Sequence, residues 1–315
     1  MVDFCFSTVV CGIVGVFVVV RILCWIVELL AGPPTFKNKV VWITGGSSGI
    51  GENLAYGFSA AGATVILSAR RKDELERVKN ACKHPEKVIV YPMDMSEPHH
   101  TEKAARQFLA ENPTLNIDIL INNAGMGNHL PFLEDTIKND MRIFNLNVLS
   151  QIAITRPVAE KMKAQKSGQI VVISSIAGKL GVPYRSSYSG SKHAVIALFD
   201  SLRAELQSEG IHVTVLCPGY IRTNFDKNVI TGKNGELSGK TSDNIANGMA
   251  PEVFTKKALK AIFKKQKEVI IPDKLEQRLG VLLRTVAPDV MFHILGNKVR
   301  KENERIMEIM KKDNQ

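Results

Sequence analysis

From residue 40 onward the chain alternates short, nearly unbroken apolar runs with longer stretches in which apolar residues return every three or four positions. The runs are VVWIT (40–44), TVILSA (64–69), KVIVY (87–91), IDILIN (117–122), QIVVIS (169–174), HVTVLC (212–217) and EVIIP (268–272). Each has strand length and is apolar at successive positions, which predicts strands covered on both faces. The intervening segments, such as LAYGFSAAG and DELERVKNAC, have helical length, and strands joined by crossover helices form a parallel sheet. The pattern therefore predicts an α/β fold: a doubly wound, seven-stranded, Rossmann-type sheet over residues 39–272.

The two ends depart from this pattern. Phe4 to Val20 carries no charge, and Arg21 is followed by ILCWIVELLAG. A spanning helix needs about 20 apolar residues, so residues 1–31 are expected to form a membrane anchor. Arg21, Trp25 and Glu28 are spaced to share one face at the membrane boundary. A cleaved signal peptide would open on basic residues, whereas Asp3 is the only charged side chain before the run. Residues 32–38, opening on Gly32-Pro33-Pro34, read as a linker. At the other end, residues 273–315 carry the apolar clusters LGVLL and VMFHIL among basic residues. They predict a helical extension that packs on the membrane, on a partner subunit or on the core.

Charge and cysteine usage extend the picture to location. Arg21, Lys37 and Lys39 follow the apolar run and no Lys or Arg precedes it, which predicts a cytoplasmic carboxyl side. The Asn-x-Thr at Asn112 is disqualified as a glycosylation acceptor by Pro113, and only Cys82 and Cys217 lie outside the anchor. Neither feature points to an oxidising compartment. The expectation is an endoplasmic reticulum membrane protein with its α/β domain in the cytoplasm. A net charge of +10 raises the question of nucleic acid. The lysines are scattered and not interleaved with aromatics, so solvated faces and anionic lipid are expected instead.

The first strand runs into TGGSSGIG (44–51) and then into a helix. Gly45, Gly49 and Gly51 there allow a tight turn and close approach of backbone to a pyrophosphate at the helix amino terminus. At the end of the second strand an acidic residue would hold the ribose of NAD. The chain instead has Arg70 and Arg71, whose guanidinium groups match a 2′-phosphate. NADP(H) is therefore expected. Asp94, after the third strand, either caps or meets the adenine edge. The seven histidines are dispersed, and no metal site is expected.

TGGSSGIG, NNAG (122–125), the serine of VVISS, YSGSK (188–192) and CPGYIRT (217–223) resemble, in order and spacing, the motifs of the short-chain dehydrogenase/reductases. The anchor, SARR, MAPEVFTKKA and the basic tail resemble membrane-bound members of that family that act on steroids, retinoids and other lipid alcohols. The resemblance implies a catalytic set of Asn147, Ser175, Tyr188 and Lys192. It also implies cofactor contacts at Ser47, Ser48, Ile50, Ala124, Gly125, Pro218, Gly219, Ile221 and Thr223, with Tyr188 and Lys192 contributing. Asn122 and Asn123 read equally as turn residues or cofactor contacts.

Physical reasoning supports the catalytic set. Tyr188 and Lys192 are four apart at a helix start and share a face, and an ammonium beside a phenol favours phenolate. Tyr184 has Tyr188 rather than a lysine four residues on and follows Pro183, so it is expected to line the substrate entrance or to pack. Ser175 ends a strand at the edge where such sheets bind ligands, and its hydroxyl suits a developing negative charge. Asn147 sits on a helix, which asparagine disfavours; the resemblance gives it a water in a relay toward the lysine. His193 is expected to pack or to lie at the surface. Residues 224–250 have lid composition. The reaction implied is hydride exchange with a carbonyl or alcohol on a lipophilic molecule, in a homodimer. The rival class is a cofactor-binding scaffold or redox sensor without turnover, which would lack the tyrosine, the lysine or the serine.

Overall fold

The computed structural model describes residues 19–20 and 32–313. The chain divides into two compact units, residues 1–35 and 36–315. The anchor expected over 1–31 lies, apart from Val19 and Val20, outside the described residues. Among the described residues no helix is long and apolar enough to cross a membrane.

All seven expected strands form: β1 Val40–Thr44, β2 Thr64–Ser68, β3 Val88–Val90, β4 Ile119–Asn122, β5 Gly168–Ile173, β6 Ile211–Pro218 and β7 Glu268–Ile271. They make one parallel sheet in the order β3-β2-β1-β4-β5-β6-β7. Successive side chains of a strand point to opposite faces, and here both faces are buried. Val41 and Ile43 enter a layer with Leu54 and Phe58 of α1 (Gly49–Ala60) and Phe254 and Ile262. Trp42 between them enters the opposite layer, with Phe108, Ile154, Val158 and Phe199. Trp42, Phe58, Phe199 and Phe254 are among the largest fully buried side chains, each contributing about 1.5–3 kcal/mol by leaving water.

The covering helices are α2 Lys72–Ala81, α3 Pro98–Glu111, α4 Ile137–Phe144, α5 Ser150–Gln165, α6 Ser186–Leu206, the short α7 Asp243–Ala246 and α8 Pro251–Phe263. Between α4 and α5 the chain does not break but widens into a π turn, Asn145–Leu149, in which the Ser150 N–H donates to the Asn145 carbonyl. Such turns recur at functional sites. The carboxyl-terminal segment forms α9 Leu275–Val286 and α10 Pro288–Asp313. Its inner face meets the domain through Met291, which packs with Ile176 and Leu180.

Candidate active site

In an open parallel sheet, ligands bind beyond the carboxyl ends of the strands where the strand order reverses. Here that point lies between β1 and β4, because β2 flanks β1 on one side and β4 on the other. A cleft of about 1220 Å³ opens there. The turn after β1 forms its floor. Gly45 and Gly49 have φ of +66° and +61°, values that favour glycine. A β-carbon on Gly51 would stand 2.3 Å from the Gly45 carbonyl oxygen, so this glycine closes the turn against the helix. Ser48 at the amino cap of α1 makes no side-chain cap. First-turn N–H groups without a capping side chain form a site for an anion. The cradle, its positive helix end and the two arginines at the end of β2 fit a dinucleotide.

Of the residues expected to contact a cofactor, Gly45, Ser47, Ser48, Gly49, Ile50, Arg70, Arg71, Asp94, Ala124, Gly125, Pro218, Gly219, Ile221 and Thr223 line this cleft. Both arginines are exposed, and Arg71 Nη2 lies 3.5 Å from Ser47 Oγ. Thr223 stands over the glycine turn, in van der Waals range of a β-carbon built on Gly49. Asp94 Oδ1 accepts from the Ser96 N–H at 2.9 Å, closing a turn; the residue before α3 is Glu97.

Asn122 and Gly51 are not among the lining residues. Asn122 is fully buried and donates to Thr155 Oγ1 at 2.8 Å, which resolves its two readings in favour of structure. Its neighbour Asn123 lines the cleft and donates to the carbonyls of Thr44 and Gly45 at 2.9 and 3.2 Å. It thereby clamps the glycine turn.

Ser175, Tyr188 and Lys192 line the same cleft. Ser175 follows β5 and caps the short turn Ile176–Gly178, its Oγ accepting from the Ala177 N–H at 3.1 Å. Tyr188 and Lys192 lie one turn apart on α6, both facing the cleft. Ser174 Oγ donates to the Lys192 carbonyl at 3.0 Å, tying the helix to the strand end.

Lys192 is buried, and its Nζ donates to the Ile173 carbonyl at 2.9 Å. Burial lowers its pKa to about 8. The Tyr188 phenol is pushed up by burial, against which a hydrogen bond with Ser175 and the charge of Arg185 pull down, while Asp226 pushes up. The Lys192 ammonium is directed at a backbone carbonyl and stands 5.8 Å from the centre of the Tyr188 ring, while Ser175 and Arg185 act on the phenol from other sides. A phenol and a hydroxyl so placed can hold one oxygen atom between them and exchange a proton with it.

Asn147 stands behind the cleft, fully buried in the π turn. Its Oδ1 accepts from the Met126 N–H at 2.8 Å, and its Nδ2 donates to the Met126 carbonyl at 2.8 Å and to Ser191 Oγ at 2.9 Å. The side chain therefore pairs with Met126 as a neighbouring strand would.

Tyr184 lines the cleft with φ of +63°, and its Oη donates to Asn303 Oδ1 at 3.0 Å. It therefore links the loop before α6 to α10. His193 Nδ1 lies 2.8 Å from the Ser189 carbonyl of its own helix. Residues 224–250 run along the cleft, and Ser242 Oγ donates to the buried Asp226. Among the described residues no cluster of His, Cys, Asp or Glu could hold a metal ion.

Three contributors escape a sequence reading. Asn128, fully buried, accepts from the Tyr188 N–H through Oδ1 at 3.1 Å. Ser191 donates to the Tyr188 carbonyl at 2.7 Å and thereby joins it to Asn147. Arg77 pairs with Glu52 at 2.7 Å and reaches the Ser47 carbonyl at 3.4 Å, bracing the glycine turn from α2. Only Ser191, between a tyrosine and a lysine of a suggestive motif, carried any local signal.

Comparison with known proteins agrees with this geometry. Residues 39–234 match the short chain dehydrogenase family. A dehydrogenase/reductase SDR family protein 7-like of Anopheles gambiae is 40% identical over 275 residues, covering 85% of each chain. Dehydrogenase/reductase SDR family member 7B of Xenopus tropicalis is 35% identical over 302 residues, covering 93% of this chain and 94% of the relative. Among solved structures, a short-chain dehydrogenase/reductase from Burkholderia phymatum in complex with NAD superposes with a TM-score of 0.70 at 22% identity, covering 82% of this chain and 96% of its own. A metagenomic short-chain oxidoreductase in complex with NADP gives 0.62 at 24% identity, covering 76% and 99%. The chain is a member of the short-chain dehydrogenase/reductase family, and its relatives include proteins named as member 7B and 7-like.

Proposed function

We propose that this protein is an NADP(H)-dependent oxidoreductase that interconverts a carbonyl and an alcohol on a lipid-like molecule, with Tyr188 as the acid and base. Membership of the family implies oxidoreductase activity. The observation that carries the finer reading is the meeting, in one cleft, of Tyr188, Ser175 and Lys192 with a glycine turn flanked by Arg70 and Arg71. The nicotinamide cofactor, when bound, supplies or accepts the hydride. Ser175 and Tyr188 hold the substrate oxygen, and Tyr188 gives it a proton in the reducing direction. Lys192 keeps a positive charge below about pH 8 beside them. Asn147 and Asn128 position α6 and the Met126 segment. Arg70 grips the 2′-phosphate, for which its planar fork is suited.

A lipid-like substrate is supported by the apolar side chains at the other end of the cleft, among them Met126, Leu180, Val182, Leu237, Met291 and Leu295. The segment 224–250 closes over it and excludes water. A panel of steroid, retinoid and other lipid carbonyls and alcohols, with NADPH consumption followed on the purified protein, tests the reading. Turnover of none of them, or turnover confined to small polar carbonyls, would sink it.

The apolar run of residues 4–20, with Lys and Arg only after it, supports a further part of this reading: a protein of the endoplasmic reticulum membrane with this domain in the cytoplasm. Glycosylation in microsomes of acceptor sequons introduced into 224–250 or the carboxyl-terminal tail would overturn that placement. A homodimer is supported by Ile137, Met141 and Phe144, which are 74, 60 and 37% exposed and lie along one face of α4. Sedimentation of the detergent-solubilised protein as a monomer would remove it.

A further inference from the structure

The carboxyl-terminal helix pair has two apolar faces, of which the domain uses one. On the side of α9 away from the domain, Leu275, Leu279, Leu282 and Val286 are 71, 54, 57 and 67% exposed. Their spacing puts them in a single stripe. On α10, Val290, Phe292 and Ile294 are 52, 53 and 48% exposed, and the Arg284 guanidinium, 4.9 Å from the Phe292 ring centre, holds that ring beside α9. A helix this apolar on an outward face requires an occupant.

We infer that the occupant is an anionic lipid surface, and that the cleft takes its substrate from that surface. Charge decides between lipid and a second copy. Between residues 274 and 301 there are six Lys or Arg and two Asp or Glu. A two-fold contact sets a patch against itself and would bring this excess positive charge together. Anionic headgroups attract it instead. The exposed α4 face differs, since Glu134, Asp135, Lys138, Asp140 and Arg142 around it are of mixed sign, as a self-complementary contact needs. An apolar stripe flanked by Lys and Arg is also the form of a helix lying in a bilayer interface.

Position gives the surface its use. The opposite side of α9, through Gln277 and Gly280, and the inner side of α10, through Leu295 and Val299, line the cleft that holds Tyr188. One helix thickness, about 10 Å, therefore separates the lipid-facing stripe from the substrate end of the cleft. A molecule dissolved in the bilayer reaches the site without crossing water. The bond from Tyr184 to Asn303 joins the same helix pair to the loop that precedes Tyr188. This inference rests on the lipid-substrate reading for its purpose, but the docking can be measured without turnover.

The test uses the full chain in phosphatidylcholine/phosphatidylserine vesicles that contain acyl-brominated phosphatidylcholine. Leu279→Trp adds a fluorophore on the stripe and Leu133→Trp adds one at a residue 93% exposed elsewhere; each is read as a difference from the wild-type emission. The Leu279→Trp difference signal should be quenched at least twofold by the bromolipid and the Leu133→Trp signal should not. Equal, weak quenching at both sites would overturn the inference, as would a Leu279→Trp emission that responds to protein concentration and not to bromolipid, which would assign the face to a second copy. Quenching at Leu279→Trp in a protein that turns over no lipid carbonyl would leave the docking standing and defeat the substrate reading alone. In an active protein, Leu279→Glu with Leu282→Glu should raise KM about tenfold for a vesicle-borne carbonyl and leave it unchanged for a water-soluble one.

Discussion

Lys192 and Tyr188 are neighbours on one face of α6, yet the lysine ammonium is committed to the Ile173 carbonyl at 2.9 Å and lies 5.8 Å from the centre of the tyrosine ring. Its charge is held at the edge of the cleft by the end of β5, so the strand that presents Ser175 also fixes the lysine. The cost of this arrangement is burial, which lowers the lysine pKa from its ordinary 10.5 to about 8.

A pH dependence of stability follows. Between about 8 and 10.5 the unfolded chain holds a proton on this lysine that the folded chain does not, so stability rises with pH through that window. Below about 8 both states are protonated and the contribution is flat. Going from pH 7 to pH 9 should stabilise the ligand-free wild type by roughly 1 kcal/mol relative to Lys192→Met. Paired denaturant titrations at the two pH values measure it. An equal response in both proteins would mean that the lysine keeps its ordinary pKa.

Tyr188→Phe should reduce turnover by about a hundredfold or more, the usual scale of a positioned general acid, while cofactor affinity stays within a few-fold. Tyr184→Phe should retain most turnover because its hydroxyl is engaged with Asn303. Steady-state rates with fluorescence titration of NADPH separate the two effects. The reverse ranking would exchange the roles of the tyrosines.

Arg70→Ala should weaken NADPH by about tenfold or more, on the scale of one lost charge-assisted hydrogen bond, and leave NADH nearly unchanged. Dissociation constants for both cofactors decide the matter. Equal losses would make Arg70 a surface cation and leave Arg71, beside Ser47, as the remaining candidate.

Asn147→Ala removes both partners of the Met126 peptide groups and one partner of Ser191. Leaving buried groups unpaired costs about 1–3 kcal/mol, so the melting temperature should fall measurably along with turnover. Unchanged melting with lost turnover would instead favour a direct part for this residue in the chemistry.

The strands were legible because burial on both faces writes them as continuous Val, Ile and Leu runs, as in QIVVIS at β5. The glycine turn was legible because its backbone angles and its contact at Gly51 exclude side chains. Asn128 and Arg77 were not, since each acts on a residue far away in sequence, Tyr188 and Ser47, and no periodicity records such a pairing. The environment of Tyr188 was legible only in part for a related reason. Spacing shows that a lysine shares its helix face, but not that a strand carbonyl has already claimed the ammonium, nor that Arg185 and Ser175 act on the phenol. The carboxyl-terminal clusters were read with three occupants open, and both an inward and an outward face are present.

The π turn at Asn145–Leu149 sets the phase of everything behind it. It accommodates one residue more than an α-helical turn, and each residue of a regular helix advances the rotation by about 100°. Deleting a single residue there would allow a smoother, better hydrogen-bonded rod from α4 through α5, while turning Thr155 away from Asn122 and Ile154 and Val158 out of the layer beneath the sheet. In this rod regularity and correct registration are opposed, and the irregular turn is the device that keeps two halves of one helix facing two different tasks.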